Sequence, residues 1–489
     1  MCGVNISPVF SWSGPVTGTD FQARSHAALN DSQLRANFRR AMDGLMSKRR
    51  SAFADTEELE SLRDLGASIR RNALAKLPEL LEKLEANCST NGIQVHWAET
   101  TRQANEIVLQ IAQRRDARRI IKGKSMVSEE MHLNRFMAGH GIDCLESDLG
   151  EYIIQLDHEM PSHIIMPAIH KNKDQIAHLF EREVAQGRYT EDVDELTAMA
   201  RQKLREAFMS ADIGMSGVNF AVAETGTLCL VENEGNGRMC TTVPPVHIAV
   251  MGIEKVVERL DDVPPLLSLL TRSATGQPIT TYFNMITSPR KTGERDGPEE
   301  IHLVLLDNGR SRMYADEQLR QTLQCIRCGA CMNHCPVYTR IGGHAYDAVY
   351  PGPIGKILTP QIDGIEQAGE LATASSLCGA CAEVCPVRIP IPQILVRLRR
   401  EAVNRPSGVG AVRGSGARRK GLEALIWQGW AALHSRPGGY RFFTGWGARL
   451  GGFLPNVGAL KEWTSVRSKP QLASKTLHQL AREKGIAGE

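Results

Sequence analysis

The chain has 489 residues, of which 42% are hydrophobic and 23% charged, and its formal net charge is +3. This length exceeds the roughly 250–300 residues at which single hydrophobic cores stop growing, so more than one domain is expected. The small net charge gives no reason to expect a nucleic-acid partner, and the absence of a run of about 18 apolar residues excludes a membrane-spanning helix.

Residues 1–60 are interpreted as an N-terminal helical arm. Leu34, Phe38, Met42 and Leu45 recur at helical spacing within DSQLRANFRRAMDGLMSKRRSAF, which predicts an amphipathic helix. The first residues, MCGVNISPVFSWSGPVTG, lack the basic and apolar regions of a secretory signal. Twelve cysteines without such a signal favour a reducing compartment, so a cytoplasmic protein is expected.

Strand and helix patterns alternate over residues 61–305. Strands are predicted in IQVHWAE, RRIIKGKS, IDCLES, HIIMPAI and VHIAVMG, and two further strands flank a turn in VNFAVAETGTLCLVE. Helices are predicted between them in TRQANEIVLQIAQRRDA, MVSEEMHLNRFMAGHG and ELTAMARQKLREAFMSA. This alternation predicts an α/β domain with a largely parallel sheet.

The turn AETGT in this domain is a candidate substrate site. Glu224, Thr225, Gly226 and Thr227 follow a predicted strand, where exposed backbone amides could cradle an anion. Arg238, a little further on, could pair with a carboxylate through its planar fork. The alternatives are an ordinary turn and a solvated loop of mixed charge.

Residues 306–400 contain short helical segments separated by cysteine, glycine and proline. This pattern predicts a small helical domain whose fold depends on bound metal. Residues 401–489 begin with the basic, glycine-rich linker PSGVGAVRGSGARRKG and continue into a C-terminal region rich in tryptophan. This region contains Trp427, Trp430, Trp446 and Trp463. The alternatives for these tryptophans are peripheral contact with a membrane, contact with a partner subunit, and a local core.

Seven cysteines form two ferredoxin-type runs, CIRCGACMNHCP and SLCGACAEVCP. The first run has the C-x2-C-x2-C-x3-C-P spacing of bacterial ferredoxins, in which the fourth cysteine binds the other cluster. Crossed ligation predicts one cluster on Cys325, Cys328, Cys331 and Cys385. It predicts a second on Cys335, Cys378 and Cys381. Zinc is the alternative, because C-x2-C pairs also build tetrahedral sites.

The second run has Ser375 where its first cysteine would stand. The second centre is therefore either a [3Fe-4S] cluster or a [4Fe-4S] cluster, whereas the first is expected to be [4Fe-4S]. The last iron of a four-iron cluster could be held by Ser375, by a remote cysteine such as Cys229 or Cys240, or by water. An open iron there could also bind a hydroxy acid as a Lewis acid.

The chain resembles the lactate utilisation protein B family in KGKSMVSEEMHLN, SDLGEYIIQL, PSHIIMPAIHKNK, AETGTLCLVENEGNGRMCTTVPPVHIAVMGIEK and both cysteine runs. The resemblance implies an N-terminal domain similar in fold to sugar-phosphate isomerases and CoA transferases, joined to a helical two-cluster ferredoxin-like domain. It also implies an iron–sulfur subunit of a cytoplasmic system that oxidises L-lactate. The implied partners are a cysteine-rich subunit and a second α/β-domain subunit.

We interpret the chain as an electron carrier within this L-lactate dehydrogenase system, not as its sole catalytic subunit. Oxidation of lactate to pyruvate removes two electrons, whereas a cluster usually moves one, and the sequence contains no convincing flavin or nicotinamide fingerprint. Two alternatives remain. The chain could be an oxidoreductase or lyase that binds a hydroxy acid at an open iron, or an iron–sulfur redox sensor.

Overall fold

The structure of the chain, a computed structural model, describes residues 21–185, 187–403, 421–450, 461, 464, 468 and 473–486. The chain divides into two compact units, Met1–Ala417 and Arg418–Glu489. Most of the predicted linker and Trp463 lie outside the described residues. Within the described part of the chain, no helix is long and apolar enough to cross a membrane.

Ten strands occur among the described residues. They are β1 (Gln94–Ala98), β2 (Arg119–Lys122), β3 (Asp143–Glu146), β4 (Ile213–Gly217), β5 (Phe220–Val222), β6 (Thr227–Glu232), β7 (Val246–Gly252), β8 (Val256–Val257), β9 (Tyr282–Ile286) and β10 (Glu300–Leu306). Six form a parallel sheet in the order β1-β10-β7-β4-β2-β3, which confirms the predicted α/β fold. The other four form a mixed sheet in the order β8-β5-β6-β9.

Helices surround these sheets. Those before β1 are α1 (Phe21–Asn30), α2 (Ser32–Ala52), α3 (Thr56–Ala75) and α4 (Leu77–Thr90). Those between β1 and β10 are α5 (Thr101–Arg114), α6 (Met126–Glu130), α7 (Leu133–Ala138), α8 (Leu149–Leu156), α9 (Lys173–Glu183), α10 (Val193–Ser210), α11 (Asn236–Cys240) and α12 (Val263–Thr275).

Short helices dominate the segment after β10, as predicted. In the first unit they are α13 (Arg310–Ala315), α14 (Glu317–Arg320), α15 (Ala330–Asn333), α16 (Tyr338–Ile341), α17 (Gly352–Asp363), α18 (Ile365–Ala368), α19 (Ala380–Glu383) and α20 (Ile391–Val403). The second unit contains α21 (Gly421–His434), α22 (Pro437–Leu450) and α23 (Leu477–Glu483).

Apolar helix faces cover both sides of the parallel sheet. On one side, Val108 and Ile111 of α5 belong to the same buried cluster as Ile248 of β7. On the other, Leu80 and Leu84 of α4 belong to a second cluster with other residues of the sheet. All seven residues of β7 are buried, as expected for a central strand of a parallel sheet covered on both faces.

The strand predicted in HIIMPAI is wrong, because residues 163–169 form turns. The Nδ1 atom of His163 accepts hydrogen bonds from the amides of Ile165 and Met166 at 3.0 and 3.3 Å. The amide of Ser162 also donates to the carbonyl of Pro167 at 3.0 Å. These local bonds fold the segment back on itself, and an apolar pattern alone does not reveal them.

The helix predicted in MVSEEMHLNRFMAGHG is interrupted. His132 separates α6 from α7 and adopts a left-handed backbone conformation with φ of 49°. The helix predicted in the N-terminal arm is confirmed as α2, whose Phe38, Met42 and Leu45 are buried. Phe38 packs edge-on against Tyr338 of α16 at 5.5 Å, so this arm covers part of the cysteine-containing segment.

Candidate metal centres

Cysteines from both runs meet in a first cavity. Cys325, Cys328 and Cys331 of the first run line it together with Cys385 of the second, and it measures about 360 Å³, counting the space at its mouth. Cys328 and Cys385 are buried, whereas the other two are half-buried. The amide of Ile389 donates to Sγ of Cys385 at 3.3 Å, a contact that orients this sulfur. The four thiols predicted for the first cluster therefore share one cavity.

A second cavity of about 300 Å³ contains the remaining cysteines of the two runs. Cys335 of the first run lines it with Cys378 and Cys381 of the second. Ser375 also lines this cavity and is half-buried. Cys378 is exposed, so the second cavity reaches the protein surface. Each run thus contributes one cysteine to the cavity that the other run mainly lines.

Ser375 occupies the position in its loop that Cys325 occupies in the first loop. The amide of Arg327 donates to Sγ of Cys325 at 3.4 Å, and the amide of Leu377 donates to Oγ of Ser375 at 3.2 Å. Arg327 and Leu377 both have left-handed backbones, with φ of 61° and 56°. The two loops therefore share one conformation, and the serine hydroxyl lies where the first loop has a thiol.

Neither remote cysteine lines the second cavity in the described part of the chain. Cys229 is buried within β6, and Cys240 lies in α11 with its sulfur 3.6 Å from the hydroxyl of Ser147. Burial raises the pKa of each of these thiols to about 12. They are consequently protonated cysteines of the α/β core, whereas Ser375 lines the second cavity.

A buried lysine lies beside the second cavity. Lys356 is only 1% exposed, and its Nζ donates to Sγ of Cys335 at 3.4 Å. The same ammonium lies over the ring of Tyr346 at 5.4 Å from its centre, a cation–π arrangement. The backbone amide of Tyr338 also donates to Sγ of Cys335, at 3.5 Å. Such donors stabilise negative charge on sulfur.

Two arginines of α3 bind the cysteine segments to the α/β part. Arg63 donates from Nε to the carbonyl of Cys385 at 3.0 Å and from Nη2 to that of Ala382 at 3.2 Å. Arg70, which is 2% exposed, donates to the carbonyl of Gln324 at 3.3 Å. Burial lowers the pKa of Arg70 to about 10. No local pattern in the sequence indicates these contacts, since the partners lie hundreds of positions away.

A buried ion network adjoins the first cavity. Arg310 is completely buried and contacts Glu254 at 2.6 Å and Glu130 at 2.8 and 2.9 Å. Arg327 also contacts Glu254, at 3.3 Å, and Tyr350 donates to Glu130 at 2.7 Å. Burial alone would raise the pKa of Glu254, but Arg310 and Arg327 hold it at about 2. Both carboxylates are therefore charged and paired.

The turn predicted to bind substrate is engaged in internal contacts. The amides of Glu224 and Gly226 donate to backbone carbonyls at 3.1 and 2.9 Å, and the carbonyl of Thr225 accepts from Asn91 at 2.8 Å. The hydroxyl of Thr227 is 2.7 Å from that of Thr225. An anion cradle at this turn would therefore lack two of the amides expected to form it.

Arg238 lies apart from the cysteine cavities. It is exposed, and its guanidinium is 5.9 Å from the centre of the Tyr282 ring. Its backbone amide donates to Glu232 at 2.6 Å. Among the described residues, neither Arg238 nor the turn at 224–227 lines a cysteine cavity.

A parallel α/β domain joined to a helical segment with two crossed cysteine sites defines an iron–sulfur electron-transfer protein of the two-cluster ferredoxin type. Family models agree with this class. A LUD domain matches residues 81–306, and a 4Fe-4S dicluster domain matches residues 321–389. A third model, described as lactate utilisation protein B, C-terminal, matches residues 397–486.

Relatives match nearly the whole chain. Lactate utilization protein B of Shouchella clausii is 41% identical over 465 residues, which cover 93% of this chain and 95% of the relative. A protein of Escherichia coli K12 named uncharacterized electron transport protein YkgF is 42% identical, over 93% of this chain and 94% of its own. The chain therefore belongs to the lactate utilisation protein B family.

The comparison with solved structures is weak. A crystal structure of a DUF162 family protein from Deinococcus radiodurans matches 47% of this chain and 98% of its own. The sequence identity over the match is 13%, and the TM-score is 0.28.

Proposed function

We propose that this chain is the electron-relay subunit of a system that oxidises L-lactate to pyruvate. The observation that carries the proposal is the crossed arrangement of the cysteines, four in one cavity and three with Ser375 in the other. The 4Fe-4S dicluster model and relatives named for lactate utilisation and electron transport support it. The proposed partners are a cysteine-rich subunit and a second α/β-domain subunit, and the proposed compartment is the cytoplasm.

The donor atoms in the two cavities fit iron–sulfur clusters. Cys325, Cys328, Cys331 and Cys385 would hold a [4Fe-4S] cluster. Cys335, Cys378, Cys381 and the hydroxyl of Ser375 would hold a second cluster, [4Fe-4S] or [3Fe-4S]. When bound, such clusters accept and donate single electrons. Crossed ligation across two ferredoxin runs favours this assignment over zinc, whose structural sites are closed by four ligands each.

The surroundings of the two cavities suggest a direction for the relay. The first cavity lies against the α/β part, where the buried network of Glu130, Glu254 and Arg310 fixes its neighbours. The second reaches the surface at Cys378. The protein thus shields the first site and leaves the second open to a partner. We therefore propose that electrons leave the chain at the second site.

The test is electron paramagnetic resonance of anaerobically purified full-length chain, combined with lactate-dependent dye reduction after its partner subunits are added. We expect signals from two reducible clusters and turnover only with the partners present. Cys381→Ala should abolish the second signal and turnover while the first signal remains. Cys229→Ala, which alters a buried cysteine outside both cavities, is the matched control and should retain both signals and turnover.

The relay would be contradicted if Cys381→Ala retained full turnover, because electrons would then bypass the second site. A protein that contained zinc and no iron would contradict the cluster assignment itself. Full lactate oxidation by the isolated chain would instead favour the alternative in which this subunit is the enzyme.

A further inference from the structure

A large cavity beside the first cysteine site is not used by the relay. It measures about 1360 Å³, counting the space at its mouth. Its wall includes Lys124, which follows β2, Asn219, which follows β4, and Lys255, which follows β7. These strands are parallel, so their carboxyl ends lie at one edge of the sheet. Ligands of open α/β sheets bind in crevices at this edge.

Lys255 is a buried amine with no hydrogen-bond partner among the described residues. The residue is 6% exposed, and it forms no hydrogen bond or ion pair with any residue that the structure describes. Burial, followed by the positive charge of Arg327, lowers its pKa to about 7. Burial disfavours the charged form of this amine, and an anion bound beside it would favour that form.

Arg327 provides a second free donor in the same wall. Its side chain is 11% exposed, its Nη2 contacts Glu254, and its Nη1 has no hydrogen-bond partner among the described residues. The guanidinium carbon of Arg327 lies over the ring of Tyr350, 4.8 Å from the ring centre. Arg327 lies between two cysteines of the first site and lines both that site and the large cavity. An anion bound to Arg327 would therefore lie beside the first cluster site.

The remaining walls limit the kind of anion. Ile164, Val218 and Leu270 supply apolar surface. The carboxyl groups in the wall are those of Asp148, Glu232 and Glu234. Glu232 accepts hydrogen bonds from the amides of residues 237 and 238, both at 2.6 Å. A second negative charge on the ligand would be repelled by these carboxylates. The cavity therefore suits a short monocarboxylate with an apolar end better than a phosphate or a dicarboxylate.

We propose that this cavity binds the carboxylate of a short 2-hydroxy or 2-oxo acid, with Lys255 and Arg327 as its carboxylate-binding residues. The choice of acid rests on the proposed function, and the location rests on the cavity and its two free donors. The substrate or product of the system would then bind on this subunit, next to the first cluster site, and not only on a partner.

The test is isothermal titration of the cluster-loaded full-length chain with L-lactate, pyruvate and inorganic phosphate. We expect the two acids to bind more tightly than phosphate. Lys255→Met should weaken binding of both acids by about 10-fold or more, because it removes a donor of a charge-assisted hydrogen bond to the carboxylate. Lys203→Met, which removes an exposed lysine of α10, should leave binding unchanged.

Lys255→Met is expected to fold, because it replaces a buried amine by an apolar side chain of similar length, and its thermal stability without ligand should rise. Arg327→Lys, which keeps the charge and removes the planar fork, should also weaken binding of both acids. These two variants remove different donors, so a folding defect in one leaves the other as a test.

Three results would overturn the inference. One is that cluster-loaded wild-type protein binds neither acid. Another is that it binds phosphate as tightly as the acids. The third is that Lys255→Met shifts the potential of the first cluster while acid binding stays unchanged, which would assign the lysine to the cluster alone. The relay is tested separately, because iron content and cluster reduction are measured on the same samples without any acid.

Discussion

Ser375 and Cys325 are equivalent residues in two loops that share a backbone conformation. In each loop the amide two positions later donates to the side chain, to sulfur at 3.4 Å in one case and to oxygen at 3.2 Å in the other. The second loop thus keeps the form of a ligand loop without its thiol. A hydroxyl is a harder and weaker ligand for iron than a thiolate, so the iron nearest Ser375 should be the most easily lost.

Ser375→Cys should make the second cluster more resistant to loss of iron, because it restores a fourth thiolate. After brief exposure to air, we expect wild-type protein to show a three-iron signal in electron paramagnetic resonance and the variant to show little. Ser210→Cys, which places a thiol at an exposed position of α10 outside both cysteine cavities, is the matched control and should behave like wild type. Equal three-iron signals in Ser375→Cys and wild-type protein would contradict this expectation.

Lys356→Met should lower the potential of the second cluster. The Lys356 ammonium, 3.4 Å from Sγ of Cys335, stabilises the more negative, reduced form of the site. Loss of a charge-assisted hydrogen bond worth about 1.4 kcal/mol corresponds to roughly 59 mV for one electron, so a shift of that order is expected. A redox titration followed by electron paramagnetic resonance measures it. An unchanged potential, with the cluster intact, would show that the lysine serves packing alone.

At the scale of elements, buried charges connect segments that are distant in the chain. Arg310 at the start of α13 contacts Glu130 of α6 and Glu254, which follows β7, and Arg70 of α3 reaches the carbonyl of Gln324. Each of these contacts crosses from the sheet region to the cysteine segments or their neighbours. The angle at which the cysteine segments meet the sheet is consequently fixed by polar contacts as well as by apolar packing.

Arg310→Met should destabilise the protein by about 3–5 kcal/mol, because it leaves two buried carboxylates without their shared partner. Denaturant unfolding under anaerobic conditions measures the change. The matched control is Arg102→Met, which breaks the exposed pair between Arg102 and Glu106 on α5 and should cost less than about 1 kcal/mol. Similar losses in the two variants would show that the buried network contributes no more than a surface pair.

His247 of β7 makes stability depend on pH. Burial, with the charge of His302 next, lowers its pKa to about 3, below the unfolded value of about 6.5. The unfolded state therefore binds the proton more readily, so stability is greatest above about pH 6.5 and decreases as the pH falls toward the folded pKa. We expect His247 to contribute a loss of about 1.4 kcal/mol per pH unit in that window.

Denaturant unfolding at several pH values between about 7.5 and 5 checks this expectation. His247→Gln should remove that part of the slope. His140→Gln alters an exposed histidine and should leave the slope unchanged. A slope in His247→Gln equal to that of wild-type protein would contradict the assignment.

The sequence predicted the elements that depend on local pattern and missed those set by distant contacts. The helical period of α2 and the apolar strand VHIAVMG were sufficient to predict helices and strands of an α/β fold. The cysteine spacing was sufficient to predict that the two runs share cysteines between two cavities. The strand predicted in residues 163–169 is wrong because Nδ1 of His163 accepts hydrogen bonds from two nearby backbone amides. Lys255 and Arg327 were missed because an unpartnered donor is recognised only after folding brings it to a cavity.

At the scale of the whole molecule, the sheet and the cysteine segments should respond differently to loss of iron. Residues 325–391 consist of short helices and turns around two cavities, whereas the sheet has apolar helices on both faces. Metal binding is coupled to folding where the ligands organise the chain. We expect removal of iron by a chelator to expose the cysteine segments and to leave the sheet folded.

Amide hydrogen exchange with and without iron measures this difference. Protection should fall in residues 325–391 and persist in β7 and β10. The Cys381→Ala variant separates the two sites, because it should lose protection around residues 375–385 and keep it around Cys325. Uniform loss of protection across the chain would show that the clusters and the sheet fold as one cooperative unit.

The exchange of one cysteine between the two runs also fixes when the protein can mature. In the proposed ligation the first cavity needs Cys385 and the second needs Cys378 and Cys381, so neither has its full set of ligands until about four fifths of the chain has been synthesised. The sheet strands, all of which end before residue 307, can fold earlier as the chain leaves the ribosome. Cluster insertion is therefore a late event, and a nascent chain interrupted before Cys378 would carry a folded sheet and no complete centre.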